Sequence, residues 1–128
     1  MKYTLNKQDQ YATISLNEDN LNSLIAPNLK SEFVFLRNEG VKNLILDLSD
    51  VQYVDSSGLS AILTANRLWK DFGAFVICGV KAPSVQRLIK ISRLDSILSV
   101  MPTLSEAVDY IFLDEIQRDL SHGKGEEE

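Results

Sequence analysis

The stretch LILDLSDVQYVDSSGLSAIL, residues 44–63, contains the change of pattern that decides the fold. It opens with a continuous apolar run, which is typical of a strand covered on both faces. Beyond the turn Asp55-Ser56-Ser57-Gly58, apolar residues recur at helical spacing. A buried strand that leads into an amphipathic helix indicates an α/β domain. The turn carries one carboxylate and two hydroxyls, although a helix cap requires only one such group.

The helix after this turn has a clear apolar face. Four apolar residues follow one another at spacings of four, three and four: Ala61, Ala65, Leu68 and Phe72. Gly73 is a typical residue for the end of such a helix. We therefore expect a helix that ends at Gly73, with Ala65, Leu68 and Phe72 buried, together with the following Cys78. Trp69 lies on the same stripe and is interpreted as a core residue.

Strands and helices alternate along the rest of the chain. Pro27 favours a helix that begins close to it, with cap chemistry from Asn22 and Ser23 and an end near Gly40. The predicted elements are strands near 2–7 and 11–17, a helix at about 24–38, a strand around 44–46, the helix ending at Gly73, a strand at 74–80, a helix at 81–94, a strand at 95–101 and a helix at 102–120. We predict an α/β fold in which a single-layer, mixed and mostly parallel sheet is flanked by about four helices, with the hairpin strand at an edge.

Length and composition indicate one domain. The chain has 128 residues, 45% of them hydrophobic and 24% charged, which suits one compact domain over 1–120. Residues 121–128, SHGKGEEE, have no apolar period and are predicted to form a flexible acidic tail. The net charge of -5 makes nucleic acid an improbable partner. A lone cysteine, with neither a leader nor a run of about 20 apolar residues, favours a cytoplasmic protein without membrane insertion.

The sequence contains none of the motifs that would predict an enzyme. A serine nucleophile needs a nearby base, but the G-x-S-x-G frame is missing and the only histidine is His122 in the tail. HExxH, paired cysteines and glycine-rich phosphate loops are also missing. We therefore expect no catalytic residue, no metal and no cofactor.

A response-regulator receiver is an alternative α/β interpretation. It requires an acidic pair, an acceptor aspartate and a lysine before proline, for which Glu18-Asp19, Asp47 or Asp55, and Lys81 are candidates. Asp47, however, lies inside its predicted strand, and Lys81 precedes a further helix and strand. The match is therefore poor.

Ser56 would be a chemically suitable site for phosphorylation. A phosphoserine adds about -1.5 to -2 charges, which free N–H groups and the positive end of a helix dipole stabilise. Modification would therefore change the surface without unfolding the helix.

Gly58, which has no side chain, would let another backbone approach closely.

The same residues resemble the STAS domain, specifically that of the bacterial anti-sigma-factor antagonists. The similarity covers nearly the whole chain and includes residues 44–63, LNSLIAPNLKSEF at 21–33 and FVICGVKAPSVQRLIKISRLDSIL at 75–98. It implies a partner switch without enzyme activity. On this resemblance, the unphosphorylated protein is expected to bind an anti-sigma factor serine kinase and so release a sigma factor. The kinase is expected to phosphorylate Ser56, and a serine phosphatase to reset the switch. A STAS subunit of a transporter or of a stress-signalling complex is the alternative.

The resemblance also assigns candidate site residues. Ser56 is the expected phosphorylation site. The expected partner-binding residues are Asp55, Ser56, Ser57, Gly58, Leu59 and Asn22. Asn22 stands where the family has an aspartate, and Arg93 stands where the family has a glycine.

Overall fold

A computed structural model describes the backbone of residues 1–127 and the side chains of residues 1–121. Its strands are β1 (Tyr3–Lys7), β2 (Ala12–Leu16), β3 (Asn20–Leu21), β4 (Leu44–Asp47), β5 (Tyr53–Val54), β6 (Phe75–Cys78) and β7 (Ser99–Met101). Its α-helices are α1 (Ala26–Asn38), α2 (Ser56–Trp69), α3 (Pro83–Ile91) and α4 (Leu104–Glu127). The predicted tail, 121–128, lies almost entirely outside the residues whose side chains are described, and it stays a prediction.

Five strands form the main sheet in the order β1-β2-β4-β6-β7. β1 and β2 are the antiparallel hairpin, and the other three pairings are parallel. The register places Ile45 of β4 between Thr13 of β2 and Val76 of β6. The predicted mixed, mostly parallel sheet with four helices and the hairpin strand at an edge is confirmed.

The two faces of this sheet are covered unequally. Alternate strand residues such as Ile14, Leu46 and Ile77 belong to a large apolar cluster that α1, α2 and α3 complete. The opposite set, which includes Ile45, Val76 and Cys78, packs against Ala107 and Ile111 of α4. Side chains alternate between the faces of a strand, so this division follows from the continuous apolar runs of β4 and β6. Three helices therefore share one face, and α4 covers the other.

Of the four side chains predicted to be buried, two are buried and two are only half-buried. Ala65 is fully buried, as is Trp69 on the same stripe, so the helix register is right. Leu68 and Phe72 are only half-buried, and Phe72 lies beyond the end of α2, which is at Trp69 and not at Gly73. Arg37 of α1 contacts both residues, and its Nε donates to the Leu68 backbone carbonyl at 3.0 Å. Its guanidinium lies 3.5 Å from the centre of the Phe72 ring. Cys78 is buried, as predicted.

One local prediction was wrong, and one small element was missed. Residues 95–98 were assigned to a strand, but Leu94–Ser96 form a 3-10 turn and β7 begins only at Ser99. The short two-stranded parallel sheet of β3 and β5 was not predicted at all, because two-residue strands have no detectable period. It matters for function, since it brings residues 20–21 beside residues 53–54 at the start of α2.

One buried polar residue, Asn43, joins α4 to the sheet. Its Nδ2 donates to the Gln10 carbonyl at 2.8 Å and to Oε1 of Glu115 on α4 at 2.7 Å. Its Oδ1 accepts the backbone N–H of Ala74 at 2.8 Å. A fully buried amide must find partners for its polar atoms, and Asn43 finds them on three separate segments.

Candidate functional site

The candidate site is built around the first turn of α2. Asp55 is the N-cap residue, with extended backbone angles of φ -96° and ψ -174°. Its Oδ1 accepts the backbone N–H of Gly58 at 2.9 Å. Asp55 alone therefore supplies the side-chain cap, which leaves both hydroxyls of the turn available for other roles.

The two serines that follow differ in exposure. Ser56 is the first residue of α2 and its side chain is exposed, whereas Ser57 is half-buried. The first N–H groups of an α-helix have no partner within the helix and carry the positive end of its dipole. A negatively charged group on the Ser56 hydroxyl would therefore lie where the helix favours it.

Gly58 and Leu59 face the interior of the protein. A Cβ on Gly58 would lie 2.7 Å from Cγ of Leu21 and would also clash with the Leu21 carbonyl oxygen. The same carbonyl accepts the backbone N–H of Asp55 at 3.2 Å. The close backbone approach at Gly58 is thus made by β3 of the same chain. Leu59 is half-buried and packs against the main core.

Asn22 shapes the turn between β3 and α1. Its Oδ1 accepts the N–H of Leu24 at 3.0 Å, and its carbonyl accepts the N–H groups of Ile25 and Ala26 at 3.1 and 2.8 Å. The helix N-cap position itself is Ile25, which has no side-chain cap bond. The expected cap role of Asn22 is therefore wrong in detail: Asn22 holds the turn that precedes α1, and α1 begins at Ala26 instead of 24.

The starts of α1 and α2 enclose a shallow depression of about 360 Å³. It is lined by Ser23, Ala26, Pro27, Lys30, Ser56, Ser57 and Ser60. Lys30 Nζ donates to Oγ of Ser60 at 3.2 Å, and Ser60 lies one helical turn beyond Ser56. The ammonium group thus adds positive charge to a region where the helix dipole is already positive.

Two exposed apolar side chains belong to the same region of the surface. Leu24 directly follows Ser23 and is 83% exposed, and Tyr53 of β5 is 64% exposed. Large exposed apolar groups around a polar centre are typical of a protein-binding surface. Sequence reasoning missed Leu24 and Lys30, because no local pattern links residues 24–30 to a turn about 30 positions later.

The groups required by the receiver alternative have other partners. Asp47 is half-buried, and its carboxylate accepts hydrogen bonds from Ser15 Oγ and from the N–H and hydroxyl of Ser49.

Burial, with a smaller contribution from the charge of Asp47, raises the pKa of the Cys78 thiol to about 12. Cys78 is therefore a poor nucleophile at neutral pH. Among the described residues, no group of three histidine, cysteine or carboxylate side chains could hold a metal ion.

The family is established by comparison. The model of the STAS domain matches residues 4–107, so the chain belongs to the STAS domain family. BtrV of Bordetella bronchiseptica, named as a candidate anti-sigma factor antagonist, is 33% identical over 101 residues, which are 78% of this chain and 85% of BtrV. Two further relatives of 31% and 30% identity are each matched over 66% of their length. The resemblance read from residues 21–33, 44–63 and 75–98 is thus confirmed.

Solved structures share the fold. An anti-sigma factor antagonist from Mycobacterium paratuberculosis has a TM-score of 0.78 at 21% identity, over 86% of this chain and 92% of that protein. The phosphorylated form of the Bacillus cell fate determinant SpoIIAA has a TM-score of 0.67 at 18% identity, over 86% of this chain and 99% of that protein. At these identities the likeness concerns the fold.

No helix in the described part of the chain is both long and apolar enough to span a bilayer.

Proposed function

We propose that this protein is an anti-sigma-factor antagonist whose partner binding is controlled by phosphorylation of Ser56. In this proposal the unphosphorylated protein binds an anti-sigma factor serine kinase, and the bound kinase releases its sigma factor. The kinase phosphorylates Ser56 and thereby ends the complex, and a serine phosphatase restores the active form. The protein itself acts without catalysis.

One observation carries this proposal. Asp55 already caps α2 through its bond to the N–H of Gly58, so the exposed Ser56 hydroxyl is not needed for the fold. Membership of the STAS family, with relatives named as anti-sigma factor antagonists, supports the partner class. The phosphorylated form of SpoIIAA supports the chemistry, since that protein has the same fold and takes a phosphate.

The predicted partner-binding residues divide into two roles in this proposal. Ser56 and Ser57 lie at the surface of the turn, together with the exposed Leu24 and Tyr53, and would contact the kinase directly. Asp55, Gly58, Leu59 and Asn22 would act mainly by holding that surface in place, through the cap, the close approach to Leu21, the core contact and the turn before α1.

A phosphate on Ser56 should weaken the complex strongly. Burying a charge without a complement at an interface costs about 2–5 kcal/mol, which corresponds to a loss of affinity of roughly thirtyfold or more. Within the free protein, the same phosphate is tolerated because it stays exposed at the positive end of α2.

The test uses the anti-sigma kinases of the source organism. Incubation with ATP should place phosphate on Ser56, located by mass spectrometry, and Ser56→Ala should abolish labelling. In calorimetry with the cognate kinase, Ser56→Ala should bind as wild type does and Ser56→Asp at least about thirtyfold more weakly. Ser105→Ala, at an exposed serine in the first turn of α4 on the opposite face of the sheet, is the matched control and should retain both labelling and binding. Equal affinity of all these variants would refute the switch and favour a fixed STAS subunit of a larger complex.

A further inference from the structure

Helix α4 carries a second apolar surface that the proposed switch does not use. Three large side chains on its outer face are exposed: Leu113 by 64%, Ile116 by 55% and Leu120 by 62%. Their spacing of three and four residues places them on one stripe. We call Leu113, Ile116 and Leu120 the α4 stripe.

The α4 stripe is not the face that folds the domain. Ala107 and Ile111, which pack α4 against the sheet, are fully buried on the opposite side of the helix. The packing of α4 onto the sheet is therefore complete without the stripe. Exposed apolar side chains that are contiguous, not scattered, mark a surface that another molecule covers.

The charge around the α4 stripe indicates what that molecule is. Residues 104–121 contain five acidic side chains and one basic side chain. The basic one, Arg118, is bonded to Asp114 at 2.7 Å and to the Gly73 carbonyl at 2.7 Å. Two acidic residues, Glu106 and Asp109, are exposed two turns and one turn before Leu113, respectively, on the same face of the helix. The exposed charge beside the stripe is thus acidic in the described part of α4.

We propose that the α4 stripe binds a cationic amphipathic helix of a protein partner. Leu113, Ile116 and Leu120 would interdigitate with the apolar stripe of that helix, while its lysine and arginine side chains face Glu106 and Asp109. A second copy of this chain fits poorly, because two acidic helices would then face each other. This surface and the Ser56 turn belong to helices on opposite faces of the sheet, so both partners can bind together.

The experiment uses a defined probe. A fluorescein-labelled peptide of three heptads, roughly 21 residues, carries leucine or isoleucine at the core positions and lysine or arginine at the flanking positions. A matched peptide has glutamate at the flanking positions. Fluorescence anisotropy with the full-length protein should show binding of the cationic peptide only. The affinity should fall by at least about tenfold between roughly 0.05 M and 0.5 M salt.

Variants test the surface itself. Ile116→Ser removes a central apolar anchor and should weaken binding of the cationic peptide by about tenfold. Asp109→Lys should weaken it by a similar or smaller factor and should reduce its salt dependence. Ile91→Ser is the matched control, since Ile91 is 72% exposed at the end of α3, and it should leave the affinity unchanged. Circular dichroism should show all three variants folded, because each side chain is exposed.

Three results would overturn the proposal. They are the lack of measurable binding to the cationic peptide, equal binding of both peptides, and sedimentation of a dimer that Ile116→Ser converts to a monomer. The last result would assign the α4 stripe to a second copy of the chain. None of these results bears on phosphorylation of Ser56, so the two proposals fail separately.

Discussion

Gly58 gives the sharpest test of the structure at the scale of a single residue. Helix propensity alone predicts that Gly58→Ala would stabilise α2 by about 1 kcal/mol. The clash of a Cβ with Leu21 predicts the opposite, a loss of about 1–3 kcal/mol in the free energy of unfolding. Urea unfolding decides between the two signs. Ser57→Ala, the neighbouring substitution without such a clash, should change stability far less, and a stabilised Gly58→Ala variant would show that β3 does not approach α2 in this way.

Arg93 is the second residue whose backbone conformation can be tested. It adopts the left-handed conformation with φ 56° and ψ 27°, which costs a side-chain-bearing residue about 1–2 kcal/mol relative to glycine. Arg93→Gly should therefore raise the free energy of unfolding by roughly 0.5–1 kcal/mol, after the greater chain entropy of glycine is subtracted. Arg93→Ala keeps the strained backbone and should give no gain. A gain in both variants would attribute the effect to loss of the arginine charge.

At the scale of elements, Asn43 holds α4 on the sheet. Asn43→Ala would leave the N–H of Ala74 and the Gln10 carbonyl without their partner, at a cost of about 1–3 kcal/mol for each group that stays buried. Hydrogen exchange in α4 should accelerate. Glu115→Ala removes the contact on the α4 side together with the ion pair to Lys42 at 3.8 Å, and it should cause a smaller loss of stability. If the two variants lose equal stability, the hydrogen bonds of Asn43 to Gln10 and Ala74 contribute little to the free energy of unfolding.

Elements were predictable from sequence to the extent that their signals are local. Pro27 and the periodic Leu29, Phe33 and Leu36 are enough to place α1 within two residues, and the apolar runs of β4 and β6 identify buried strands. The two-residue strands β3 and β5 have no period, and residues 95–98 were misassigned because an apolar pair there suits either a strand or a turn. At the candidate site, cap chemistry predicted Asp55 as the N-cap of α2, whereas the role of Ser56 rests mainly on the family resemblance and stays a proposal. The contacts of the site with Leu21 and Lys30 depend on tertiary packing, which no local pattern encodes.

At the scale of the whole molecule, the buried Cys78 thiol should make the free energy of unfolding fall as the pH becomes alkaline. Its thiol has a pKa of about 12 in the folded protein and about 8.5 when unfolded. Above pH 8.5 the unfolded chain loses this proton while the folded protein keeps it, so stability falls as pH rises. Between pH 8 and 10 the stability advantage of wild type over Cys78→Ala should shrink by about 2 kcal/mol. Urea unfolding of both proteins under reducing conditions measures it. A constant difference would mean that the folded thiol ionises near its ordinary pKa.

The parallel strand pairings also determine how quickly the chain can fold. β1 and β2 are joined by a short turn, but Ala12 pairs with Leu44 and Leu44 with Phe75, which are 32 and 31 residues apart. The chain must lose the entropy of closing these long loops before the parallel contacts can form and stabilise it. We therefore expect the hairpin to form early and the central pairings later, with folding on roughly the millisecond timescale or slower. Until β4 joins β2, its apolar residues 44–46 remain exposed, so the same stretch that decides the fold is an aggregation hazard during synthesis.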